Sequence, residues 1–228
     1  MKLSYLFAPR FLVYLALLVV VFTVGAAWHK RLGRPFKILL AIVGLTVLSE
    51  ITSRLLVASI KTSNPAYHVY LPLLYALHGC LYAGIFAGHI LRRIVLYSIL
   101  FFILLSLGNS LFFQPARVFP SNALLACCAL LVAWGLLYFR QMLHNPVEEP
   151  LFRQGLFWYN ISVVFFYTTT FLIWSFFNYF IRHKLNTKLL ADLIYGASFL
   201  YYLLTGLSFY LEKNRNLTIA NESQHHQR

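Results

Sequence analysis

A chain of 228 residues that is 60% hydrophobic, 18% aromatic and only 11% charged, with a mean hydropathy of +0.70, lies outside the range of a soluble globular domain. Its formal charge of +13 would suggest nucleic acid in a soluble protein. Here the basic residues fall in short connections between apolar runs, where they set topology and meet headgroups, so the expected partner is a lipid bilayer and no nucleic acid.

The apolar runs predict an all-α, polytopic transmembrane helix bundle of seven spans. The first run, residues 11–28, follows Lys2 and Arg10 and ends at Trp28. Gly25-Ala26-Ala27 resembles a signal-peptide cleavage site, but the length of the run and its interfacial tryptophan favour a retained helix. A basic turn from His29 to Pro35 leads into the second run, residues 36–57, which carries Glu50 and Arg54. These two are four apart with the acid first, the better order for an ion pair on one helical face. At bilayer depth each charge costs roughly 2.5 to 3.5 kcal/mol on insertion scales, so the pair is expected to face protein or water. The third run, residues 67–91, has Pro65 and Pro72 about its start and sets His68, Tyr75, His78, Tyr82 and His89 on one face. Gly84 and Gly88 form a GxxxG, a pattern that permits close helix packing.

Arg92 and Arg93 turn the chain into the fourth run, residues 94–113, with Ser106, Asn109 and Ser110 near its far end. Asn122 opens the fifth, residues 121–143, whose uniform apolarity predicts the greatest exposure to lipid. The longest connection, residues 140–154, holds Glu148 and Glu149 and has no room for a soluble domain. In the sixth run, residues 156–181, Asn160, Tyr167, Thr170, Trp174 and Asn178 share a face. The seventh, residues 189–211, repeats the pattern with Asp192, Tyr195, Gly196, Tyr202 and Gly206. Residues 1–212 are therefore expected to form one seven-helix transmembrane domain and residues 213–228 a polar, disordered cytoplasmic tail. On that side the sequons at Asn216 and Asn221 have no role. Cys80, Cys127 and Cys128 lie in apolar runs without CxxC spacing, which points to small core side chains and away from disulfides or zinc.

Basic residues set the expected orientation. The side of the amino terminus carries Lys2, Arg10, Lys61, Arg117, Arg182, Lys184 and Lys188; the opposite side carries more, including Lys30, Arg31, Arg34, Lys37, Arg92 and Arg93. The bias predicts an outside amino terminus and an inside carboxyl terminus. With that orientation, six helices place polar groups in the outer half of the bilayer. They predict an outward-facing pocket lined by Glu50, Arg54, His68, Tyr75, His78, Asn109, Trp174, Asn178 and Asp192. Each also has a plainer reading. Glu50 with Arg54 could be an internal pair that fixes helix rotation, His78 a satisfied core histidine, the sixth-helix stripe interhelical hydrogen bonding, and Asp192 a first-turn acid favoured by the helix dipole.

Several membrane families can be held against these residues. Retinal-binding rhodopsins need a lysine in the last helix, and residues 189–211 contain none. Ser49-Glu50-Ile51-Thr52-Ser53-Arg54 is similar to the Glu-Glu-x-x-x-Arg motif of CAAX-protease-like membrane proteins, but Ser49 replaces the first glutamate and Leu74 stands where that family has phenylalanine ahead of its histidine. The His-x-x-x-His of ceramidase-like hydrolases and the Pro-Gln of PQ-loop sugar carriers do not occur. Asn64, Tyr67-His68-Val69-Tyr70 and Phe157-Trp158 resemble the corresponding positions of uncharacterised bacterial six- or seven-helix integral membrane proteins. That resemblance implies a multi-pass protein of the bacterial inner membrane with a part in sensory signalling.

The function expected from these features is the binding or sensing of a small ligand in the outer pocket. Output would pass by helix movement to a protein signalling partner that meets the basic tail. The chain would be receptor-like rather than an enzyme, monomeric or dimeric, with no cofactor, metal or catalytic residue assigned. Glu50 would be the charge centre, Arg54 its tuning partner and His78 a protonation switch. Two alternatives use the same residues. One is a small-solute or proton-coupled transporter whose polar route continues through Asn160 and His89; the other is an intramembrane hydrolase using Glu50 with His68 and His78.

Overall fold

The computed structural model of the chain describes residues 9–145 and 150–225, with the side chains of residues 178 and 216–225 outside the description. Seven helices make up the fold: α1 (Pro9–Ala27), α2 (Arg34–Ile60), α3 (Asn64–Ile85), α4 (His89–Gly108), α5 (Ser121–His144), α6 (Gly155–Arg182) and α7 (Lys188–His225). Short 3-10 turns occur at His29–Arg31 and Leu151–Arg153, and a π-helical turn, Asn109–Phe113, prolongs α4. There is no strand among the described residues. Helices satisfy their backbone groups internally, which is what hydrocarbon demands of a spanning segment.

Six of the seven helices are long and apolar enough to cross a membrane, and the chain is a multi-pass membrane protein. The exception is α3, the helix that carries Asn64, His68, His78 and four tyrosines. It packs on α2, α4 and α5, and its inner face buries Leu71, Leu74, Tyr75, His78, Leu81 and Tyr82. A helix enclosed by protein needs less apolar surface than one facing lipid. Consecutive helices pack on one another and α1 closes against α7, while α4 rests chiefly on α3. Around the outside, Leu48, Leu55, Leu104 and Phe112 are exposed, as suits a lipid-facing girdle.

Four sequence expectations need correction. The third run divides: α3 stops at Ile85, Phe86 is extended, and Gly88 caps the start of α4, so His89 is an exposed first residue of α4 and not part of the α3 stripe. Gly84 and Gly88 are consequently not a packing motif, and a Cβ at either would meet nothing within 4 Å. The fifth run is the most enclosed of the six apolar helices, burying Cys127, Cys128, Leu131, Trp134 and Tyr138 among others, whereas α4 buries only Val95, Phe102 and Ser106. Its small residues, including Cys127, Cys128 and Gly135, allow neighbours to approach closely; apolarity alone does not separate lipid from core. Cys80, finally, faces outward, while Cys127 and Cys128 are buried as expected.

Close approach occurs at other glycines. A Cβ on Gly135 would sit 2.5 Å from Val164 Cγ2, and one on Gly155 would sit 2.5 Å from the backbone oxygen of Ser208. Pro72 falls inside α3 rather than in its first turn, so the carbonyl of His68 lacks its usual helical N–H partner. The last helix runs on as far as His225, through much of the segment read as a tail. Near its membrane end, Lys213 Nζ lies 4.3 Å above the Trp28 ring and Glu212 is buried. Lys2, Glu148 and Glu149 lie outside the described residues, as do residues 226–228.

Candidate functional site

In the half of the bundle where α1, α3, α5 and α7 begin, the helices enclose a cavity of about 240 Å³. Tyr14 reaches it from α1; Thr46, Ser49 and Glu50 from α2; Tyr67 and Tyr70 from α3; Tyr167, Thr170 and Trp174 from α6; Ser198, Tyr201 and Tyr202 from α7. Phe119, in the connection between α4 and α5, covers one side and stacks on Trp174 with centroids 4.4 Å apart. Helical spacing explains the wall: residues 67, 70, 71 and 74 of α3 and residues 194, 198, 201 and 202 of α7 each follow the i, i+3 or i+4, i+7 rule for one face.

Some of the cavity's polar groups are held by the protein. The Tyr14 hydroxyl donates to Glu50 Oε1 across 3.5 Å. Thr46 donates to the Ile42 carbonyl at 3.0 Å, which leaves its oxygen to accept from the Tyr70 hydroxyl at 3.1 Å. Two groups differ. Thr170 and Tyr201 are 6% and 3% exposed, and neither hydroxyl has a hydrogen-bond partner. A buried, unpaired polar group costs roughly 1 to 3 kcal/mol, and two of them belong to the lining of this one cavity.

Of the expected pocket residues, Glu50 and Trp174 line this cavity. Arg54 lies beside it, in a polar cleft of about 190 Å³ shared with Glu50, Ser53 and Tyr67, its guanidinium 3.7 Å from the centre of the Phe11 ring. Glu50 therefore faces two compartments. The side chain of Asn178 lies outside the described residues.

The other five are placed elsewhere, and each has protein partners. His68 Nε2 donates to the Val118 carbonyl at 2.9 Å and its Nδ1 meets Ser110 Oγ at 2.6 Å, which pins the start of α3 to the α4–α5 connection. Tyr75 accepts from Trp134 Nε1 at 3.1 Å and donates to Ser98 Oγ at 2.7 Å, tying together α3, α4 and α5. His78 is fully buried, with Tyr159 2.7 Å from Nδ1 and Tyr167 3.0 Å from Nε2. Asn109 donates to Gln114 Oε1 at 3.0 Å and accepts from Asn122 Nδ2 at 3.1 Å, closing the α4–α5 hairpin. Asp192 pairs with Arg10 at the surface, across α1 and α7. A polar stripe on a helix shows which face turns inward, but a neighbouring helix can meet that face as well as a ligand can.

Further from the cavity the polar groups are satisfied in pairs. Tyr82 donates to Asn160 Oδ1 at 2.9 Å, and Asn160 Nδ2 donates to the Gly135 carbonyl at 2.9 Å. Tyr167 joins the two regions, its ring on the cavity wall and its hydroxyl on His78. No cluster of three or more His, Cys, Asp or Glu side chains suited to a metal occurs among the described residues.

Sequence reasoning missed Tyr14, Tyr67, Tyr70, Ser198 and Tyr201 as cavity residues. Tyr14 stands out in hindsight, because Arg10, Tyr14 and Thr23 are the only polar side chains in α1. In α7 the expected stripe of Asp192, Tyr195, Gly196, Tyr202 and Gly206 includes the cavity residue Tyr202, but it also takes in the surface-paired Asp192 and the exposed Gly196 and passes over Ser198 and Tyr201. No protein-family model, curated protein or solved structure matches the chain.

Proposed function

We propose that the protein binds a small ligand in the cavity between α1, α2, α3, α6 and α7, and that occupancy is passed to a partner protein through helix movement. The observation that carries this reading is that Thr170 and Tyr201, whose buried hydroxyls have no partner, both belong to the lining of a cavity that also holds Glu50. In this reading all seven helices span. At 22 residues α3 extends about 33 Å, enough to cross the hydrocarbon, and its burial removes the need for a fully apolar surface. The amino terminus is assigned to the outside from the distribution of Lys and Arg, which makes the cavity outward-facing. A bacterial inner membrane is the location that fits the likeness at Asn64, Tyr67 to Tyr70 and Phe157-Trp158.

Binding with sensing fits better than carriage. Past the cavity, the Tyr167–His78–Tyr159 and Tyr82–Asn160 sets fill the interior with satisfied, fully packed groups, and this supports a closed floor rather than a polar route. Pro72 interrupts the α3 hydrogen-bond ladder between the cavity residues Leu71 and Leu74, and we assign α3 as the moving element. The hydrolase alternative needs a histidine beside Glu50, whereas His68 and His78 both have their ring nitrogens engaged by other groups.

Native mass spectrometry of the detergent-purified protein tests the reading. The wild-type chain should retain a small molecule that Glu50→Gln and Tyr201→Phe release, while Gly84→Ala, away from the cavity, keeps it. Equal retention in all four, or none in the wild type across mild detergents, would contradict a ligand site here.

A further inference from the structure

The cavity wall indicates what kind of molecule would fit, an inference that rests on the cavity being a ligand site. Nine of its nineteen lining residues are aromatic, and its charged residues reduce to one: Glu50, with no Lys or Arg on the wall. Ring faces carry partial negative charge and attract cations, and a carboxylate adds full charge in the same enclosure. Arg54 meets Glu50 in the adjoining cleft and does not line this wall, so the formal charge the wall presents is negative. Two sets of polar groups stand out among the lining residues. One is Glu50 with Tyr14, on α2 and α1; the other is Thr170 and Tyr201, with their unpartnered hydroxyls, on α6 and α7. Each of those hydroxyls has a proton to donate, which a cation cannot accept.

We propose that the cavity takes an organic cation that also bears an oxygen acceptor, an amino alcohol or a quaternary ammonium of the choline type. Its charged group sits between Glu50 and the rings, and its oxygen accepts from Thr170 or Tyr201. The same chemistry is available from a free solute or from a lipid headgroup. An apolar groove between α2 and α3, lined by Leu48, Thr52, Leu56, Val69 and Leu73, shares Ser49 and Tyr70 with the cavity, so a headgroup in the cavity could leave an acyl chain along that groove.

Choline binding to the full chain in nanodiscs of phosphatidylglycerol, followed by calorimetry, is the test. Comparison probes are tetramethylammonium and the uncharged carbon isostere of choline, in which carbon replaces the ammonium nitrogen. The proposal expects the isostere to bind about tenfold more weakly than choline, with Glu50→Gln causing a similar loss and Glu50→Asp restoring part of it. Tyr201→Phe should weaken choline several-fold yet leave tetramethylammonium, which has no oxygen, unchanged. If the isostere binds as tightly as choline, or Glu50→Gln changes nothing, the cation assignment is overturned while the cavity remains a ligand site. If no probe binds to correctly folded wild-type protein, the cation assignment falls, and retention of some other molecule in the mass-spectrometric experiment decides whether the ligand site falls with it. Repeating the titration in phosphatidylcholine nanodiscs separates the sources: blocked choline binding supports a lipid headgroup, and unchanged binding supports a free solute.

Discussion

The two halves of the bundle use the same side chains to opposite ends. In the half around His78, Tyr82 and Asn160, each of these side chains meets a partner on another helix, and the groups are close to fully buried. In the half around Glu50, tyrosines are as numerous, yet two buried hydroxyls on Thr170 and Tyr201 meet nothing and the side chains stand back from a void. Polar residues inside a membrane protein thus hold helices together where they are paired and offer binding capacity where they are not. In the proposed reading, satisfaction of the hydrogen bonds rather than the identity of the residues separates structure from site.

Substitutions that sharpen this contrast differ in size. Asn160→Ala should be the most damaging, because it strips the partner from the buried Tyr82 hydroxyl and the Gly135 carbonyl and leaves a gap between α5 and α6; a loss of about 3 kcal/mol is expected. Thermal unfolding in one detergent is a suitable readout, and an unchanged midpoint would show that the paired half is not what holds the helices. His78→Phe keeps the ring but orphans Tyr159 and Tyr167, for an expected cost of about 2 kcal/mol by the same assay. Gly84→Ala, in contrast, should stabilise by about 0.5 to 1 kcal/mol, since the site is helical and open. A loss there would mean that a neighbour, in the membrane or in an oligomer, lies against that face.

Much of the fold was legible in the sequence. Apolar runs located all seven helices, because hydrocarbon permits little other than helix, and run length is a strong signal. The division of the third run at Ile85 was not visible, since Phe86 and Ala87 are as apolar as the helix before them and only the backbone reveals the break. The lipid-facing prediction for the fifth helix failed for a related reason: apolarity serves equally against lipid and against protein. At the site, Glu50 and Trp174 were identified from charge and periodicity, and the α6 stripe also contained Tyr167 and Thr170. Asn109, His68 and Asp192 lie apart from the cavity, and their partners, Gln114, Val118 and Arg10, come from connections or distant helices that periodicity along one helix does not reveal.

The most direct test of the central claim is the thermal stability of the double variant Thr170→Val, Tyr201→Phe, set beside His78→Phe under the same ligand-free conditions. Each change removes a buried hydroxyl that has no partner, so the ligand-free double variant should unfold within about 0.5 kcal/mol of the parent or above it, and in a separate binding assay it should no longer retain the small molecule. A loss as large as that of His78→Phe would contradict the account, because those hydroxyls would then be holding the bundle together and not awaiting a ligand.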